Sequence, residues 1–185
     1  LFEDAQKMLA KIIAEEKFTA KAVFGMFRAQ REGADDISVQ KDTETTLIFR
    51  TLRQQLKKKE GVAHRALSDY IAPASAAIQD HIGAFCVTTG FGTEEMAMTY
   101  QAALDDYNSI MVKALADRLA EAFAEYLHQQ VRTKHWGYAA SETFENEALI
   151  AEQYKGIRPA PGYPACPDHL EKLSLWELLE VKERI

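Results

Sequence analysis

Arginine, glycine and tyrosine stand at positions 158, 162 and 163, inside a run from Gly156 to His169 (GIRPAPGYPACPDH) that holds four of the chain's five prolines. Proline locks φ and removes a backbone donor, so this run is neither helix nor central strand. A loop stiffened in this way loses little entropy when it holds one shape. Gly162 permits a positive φ or the close approach of a ligand. Arg158 offers a planar fork that matches a carboxylate or phosphate, and Tyr163 offers a flat face and a hydroxyl. Together they suit a small anionic ligand with a flat or cationic part. The other reading of the same residues is a structural loop wrapped around a helix end, with Arg158 in an internal salt bridge.

Other chemistry-bearing residues give less. Cys166 and His169 are three apart, but no second pair at ligand spacing completes a metal site. His64, His81, His128 and His135 are scattered and read as ordinary surface or satisfied histidines. Gly90 and Gly92 lack the remainder of a phosphate-binding fingerprint and read as a turn. Lys57-Lys58-Lys59 reads as a solvated loop.

Several elements must position the loop. Residues 2–16 carry Phe2, Ala5, Met8, Leu9, Ile12 and Ile13 at helical spacing, which predicts an amphipathic helix. KAVFGMFRA predicts a strand ending near Arg28, followed by a turn at REGADD. DISVQ and TTLIFRTL flank a polar link and predict a β-hairpin, the second arm passing into a helical turn. Gln54 to Asp80 is polar and irregular. Residues 82–89 predict another strand. Thr93 stands as an N-cap with Glu94 and Glu95 behind it. From there to about Arg132 the apolar spacing is unbroken by Gly or Pro, which predicts one helix of about 60 Å at 1.5 Å per residue. Residues 145–155 predict a short helix leading into the proline loop, and LEKLSLWELLEVKER a last one. The fold class expected is α+β, a small twisted antiparallel sheet with long helices.

Composition sets the outer bounds. The chain has 185 residues and a net charge of −6, which argues against nucleic acid and against anionic membranes as partners. No apolar run approaches the roughly 20 residues of a membrane span. Two cysteines eighty residues apart suggest no disulfide framework, so a reducing cytoplasm is the expected setting. The chain starts at leucine and stops within an expected helix, so a fragment of something longer is expected.

The proline run resembles the S-adenosylmethionine-binding loop in the activation domain of cobalamin-dependent methionine synthase. That family's R-x-x-x-G-Y motif is met by Arg158, Gly162 and Tyr163. DDYNSIMVKALADRLAEAFAEYLH (Asp105–His128), WGYA (Trp136–Ala139) and LWELL (Leu175–Leu179) match the family as well. The resemblance covers essentially the whole chain and is densest from residue 82 onward. It implies a single truncated activation domain over residues 1–185, with both ends missing. It implies that Arg158 pairs with the carboxylate of S-adenosylmethionine, and that the backbone of Pro159 and Ala160, Gly162 and the Tyr163 ring line the pocket. Glu121 and Glu152 are carried over as acids compensating the ligand's positive charge. Residue spacing leaves Glu121 a second option, an i−3 pair with Arg118.

The resemblance further implies a parent methyltransferase that moves methyl groups from 5-methyltetrahydrofolate to homocysteine through cobalamin in methionine biosynthesis. This module would support the reductive methylation that returns oxidised cob(II)alamin to methylcobalamin, and would not be catalytic alone. Its expected partners are the cobalamin-binding domain of the same enzyme and a flavodoxin-like or diflavin reductase. The alternative is a docking module for such a reductase without a competent ligand site.

Overall fold

A computed structural model describes residues Leu1–Ile185. The chain forms a four-stranded antiparallel sheet of order β3-β2-β1-β4 and six α-helices. The strands are β1 (Thr19–Glu32), β2 (Asp36–Gln40), β3 (Thr46–Arg50) and β4 (Asp80–Phe91), and the α+β expectation holds. Two compact units divide the chain: Leu1–Ala22 with Cys86–Lys155, and Val23–Phe85 with Gly156–Ile185.

The first unit is helical. Helix α1 (Phe2–Ala14) buries Met8 and Ile12, the apolar stripe expected from its spacing. Met8 and Ile12 form a core with Met96, Ala97, Met111 and Val112, and Phe18, Tyr100 and Leu115 pack on its edge. Fully burying a side chain such as Val112 contributes about 1.5–3 kcal/mol.

The single long helix expected over 93–132 is two helices. α2 (Thr93–Ala102) and α3 (Asp106–Gln130) pack against each other, and the residues between them break the rod. Leu104 takes a left-handed φ of 57° and is 92% exposed. Asp105 caps α3, accepting from the Asn108 backbone N–H at 3.1 Å and from Asn108 Nδ2 at 2.7 Å. The apolar spacing carried through the break because both helices bury a face. The cap motif Asp105-x-x-Asn108 was the overlooked stop signal. The cap expected at Thr93 is also displaced. Gly92 caps α2 with φ 93°, and Thr93 is the first helical residue, its hydroxyl buried without a hydrogen bond. Only glycine fits at 92, because a Cβ there would strike the Lys17 carbonyl.

The second unit holds the hairpins. β1 runs past Arg28 to Glu32, longer than expected, so the first two residues of REGADD belong to the strand. Its end pairs with β2 (Ala29↔Val39, Arg31↔Ile37), and β2 pairs with β3 (Ile37↔Phe49, Val39↔Leu47). Ala29, Ile37, Val39 and Phe49 are buried, the period-two pattern of a sheet with one covered face. Asp42 closes the β2–β3 link by accepting from the Glu44 and Thr45 backbone N–H groups at 2.8 Å each.

The helical turn expected after β3 does not form. Leu52 takes φ 37°, and the chain continues as loop. Arg53 organises that loop. Its guanidinium donates to both oxygens of Asp69 at 2.6 and 2.9 Å, to Asp35 at 2.9 Å, and to the carbonyls of His64 and Ala34. The helix expected over 145–155 is short, α4 (Asn146–Ile150). The last expected helix is split at Glu180, in the left-handed region, into α5 (Glu171–Leu179) and α6 (Val181–Arg184).

Candidate functional site

The proline loop is two β-turns set end to end. In the first, Ala160-Pro161-Gly162-Tyr163, the Tyr163 N–H donates to the Ala160 carbonyl at 2.9 Å. Pro161 stands second and Gly162 third with φ 103°, the pattern of a type II turn. In the second, Tyr163-Pro164-Ala165-Cys166, the Cys166 N–H donates to the Tyr163 carbonyl at 2.9 Å, again with proline second. Gly162 N–H returns the bond to the Cys166 carbonyl at 2.9 Å, and Tyr163 bridges Cys166 in antiparallel fashion. The loop is tied to its own unit through the Leu67 N–H, which donates to the Ala165 carbonyl at 2.8 Å. Local proline and glycine chemistry therefore sets the loop's shape, and the Leu67 bond helps tie it down.

On this frame Arg158 and Pro159 are half-buried, while Ala160, Gly162 and Tyr163 are exposed. Tyr163 keeps 62% of its surface accessible, unusual for a large ring and suited to receiving a flat or cationic group. Beyond the loop, Glu171 opens α5 and is buried. It accepts from the Arg50 backbone N–H at 3.0 Å, and burial holds its carboxyl above the usual range. Burial likewise pushes the Cys166 thiol up, so it keeps its proton at neutral pH.

Glu121 and Glu152 belong to the other compact unit. Glu121 is exposed on α3 and meets Arg118 at 3.4 Å, the i−3 pair that its spacing had left open. An exposed pair of this kind contributes little, so it leaves the carboxylate available to other partners. Glu152 is exposed just past α4, in the left-handed region at φ 52°.

Residues 1–185 match the family model described as vitamin B12 dependent methionine synthase, activation domain. The chain belongs to that family. It is also similar, at 53% identity and a TM-score of 0.90, to the crystal structure of a MetH reactivation domain bound to AdoHcy. The likeness covers 99% of this chain and 57% of that one, so the chain spans a little over half the length of its solved relative. The activation-domain resemblance read from the proline loop and its flanks is thereby established, and with it the α+β fold.

One constellation in this activation domain escaped the sequence reading. Arg132, wholly buried, lies in the wide π-helical turn Val131–His135 that ends α3. It grips Glu142 through two nitrogens, Nε at 2.9 Å and Nη2 at 2.6 Å, and its guanidinium lies 4.0 Å from the centre of the Tyr154 ring. Arg132 Nη1 also reaches His128 Nδ1 at 2.6 Å. Arginine can only donate, so that nitrogen accepts and the His128 proton sits on Nε2. The His128 ring meets Tyr154 edge to face at 4.9 Å. His128 is thus buried and structural rather than a surface histidine. The signal was present: Ala124, Leu127, His128 and Arg132 follow one helical stripe from α3 into the turn that ends it, and a basic residue on a buried stripe needs a partner.

Proposed function

We propose that this activation domain binds S-adenosylmethionine on the Arg158–Tyr163 loop and serves as the reactivation module of a cobalamin-dependent methionine synthase. The observation that carries the reading is the pair of proline-led turns, which fixes Gly162 and Tyr163 of the R-x-x-x-G-Y motif while leaving the Tyr163 ring open. The likeness to a relative solved with AdoHcy supports it and speaks against a docking module without a ligand site.

In this reading the Arg158 fork pairs with the ligand carboxylate bidentately. The Tyr163 ring faces the cationic part, and the backbone of Pro159, Ala160 and Gly162 lines the loop side. No catalytic base is required of the chain, whose contribution is proximity and orientation. Cobalamin, held mainly by another domain, would supply the metal centre that takes the methyl group, S-adenosylmethionine leaving as S-adenosylhomocysteine once the reductase has delivered an electron. This returns cob(II)alamin to methylcobalamin and keeps methionine synthesis running.

The partners are that cobalamin-binding domain and a flavodoxin-like or diflavin reductase. The complete enzyme is the 5-methyltetrahydrofolate–homocysteine methyltransferase, and residues 1–185 act as one functional domain within it, not catalytic alone. No helix is long and apolar enough to cross a membrane. The free thiols of Cys86 and Cys166 suit a reducing cytoplasm. Titration calorimetry of the chain with S-adenosylmethionine tests the reading. Saturable heat at one site per chain is expected, and its absence overturns it.

A further inference from the structure

Resting on that reading, we propose that Cys166 and His169 are positioning residues for the ligand loop: the Cys166 thiol fastens the first turn to the second, and the His169 ring props Gly162. Every polar atom of Cys166 is spent on the loop. Its N–H donates to Tyr163, its carbonyl accepts from Gly162, and its Sγ donates to the Ala160 carbonyl at 3.0 Å. Ala160 therefore uses both lone pairs of its oxygen inside the loop, one for the Tyr163 N–H and one for the thiol. Cys166 is buried beneath these bonds at 5% exposure. The thiol bond is the only side-chain link among them, so it is the one a substitution can remove while leaving the backbone turns in place.

His169 acts on the other side of the same turn. A Cβ built on Gly162 would run into the His169 ring. The ring is held from behind, since Lys172 Nζ lies 3.2 Å from His169 Nδ1, and the His169 carbonyl accepts from the Lys172 backbone at the start of α5. Lysine donates there and Nδ1 accepts. α5 thus sets the ring, and the ring limits how Gly162, the turn residue just before Tyr163, can move. Cys166 and His169, three residues apart, act as the lock and the prop of one loop.

The experiment is calorimetric titration of the chain with S-adenosylmethionine, with thermal melts on the same samples. Cys166→Ala is expected to lose about threefold to tenfold in affinity, the effect of one neutral hydrogen bond, while staying folded. Cys166→Ser, which keeps a donor for Ala160, is expected to stay within about twofold of wild type. His169→Ala is expected to fall between them. A purely structural role would lower the melting temperature and leave affinity per folded molecule unmoved, which overturns the proposal. Equal losses for Ala and Ser at 166 also overturn it. Should Cys166→Ala unfold, the Ser variant decides alone: retained affinity supports the lock, and a tenfold loss overturns it. Arg158→Ala separates the two levels. If wild type binds, Arg158→Ala does not, and Cys166→Ala binds as wild type, only the positioning role falls. If wild type gives no heat, the ligand-binding reading falls and the positioning role with it.

Discussion

Arg132 and Arg158 sit in different compact units and are held by opposite strategies. Arg132 is wholly buried and meets its charge partner Glu142 at 2.6 Å, with His128 and Tyr154 closing around it. Its position is enforced by tertiary packing and by the cost of leaving a buried charge uncompensated. Arg158 is half-buried on a loop whose shape comes from prolines and a glycine a few residues away. The first arginine is a stability element; the second stands on a backbone whose shape comes from local turn chemistry.

The largest expected effect breaks the first half of that contrast. Arg132→Ala should destabilise the fold by about 3–5 kcal/mol, because Glu142 is left buried without its partner. Denaturant unfolding measures it, and a loss under 1 kcal/mol would show that the pair is dispensable. Replacing Arg132 and Glu142 together by Met and Leu should recover most of the loss.

Next is the second half. Arg158→Ala should leave the domain folded and weaken S-adenosylmethionine binding by about 2–5 kcal/mol, roughly thirtyfold to several thousandfold. Arg158→Lys should also lose affinity, since a point charge cannot reproduce the fork. Titration calorimetry beside thermal melts decides, and a drop in melting temperature with affinity held would make Arg158 a structural residue like Arg132.

A smaller effect sharpens the role of the exposed ring. Tyr163→Ala should cost about 0.5–2 kcal/mol of binding, with Phe tolerated, if the face of the ring meets a cation. Equal losses for both variants would assign the contact to the hydroxyl.

The smallest involves a third arginine, intermediate between the two. The Arg53 guanidinium, donating to both oxygens, holds the Asp69 carboxyl at about 2 against a usual 3.8. A depressed folded-state value means the stabilisation is complete above pH 3.8 and is lost as pH falls through about 2. Melting temperature should therefore fall across that window in wild type and fall less in Asp69→Asn. Parallel curves would show that the pair contributes nothing to the loop that carries Leu67.

Much of this was written locally. The amphipathic face of α1, the alternation of β2 and β3, and the two turns of the proline loop follow from residue types a few positions apart, because helix period, strand period and proline or glycine dihedrals are short-range physics. The loop was the most legible part of the candidate site for that reason. Other features were decided by what comes near from elsewhere in the chain. Gly92 rather than Thr93 caps α2 because the Lys17 carbonyl occupies the space a side chain would need. Leu104 accepts a left-handed backbone because two helices must fold back on each other there, which outweighs its local preference. Arg132 could be buried only because Glu142 arrives ten residues later, past the Gly137 turn. The sequence by itself determined the conformations that cost or gain energy within a few residues. Tertiary structure alone decided where a charge could be buried and where a helix had to stop, because those free energies depend on partners that come near only when the chain is folded.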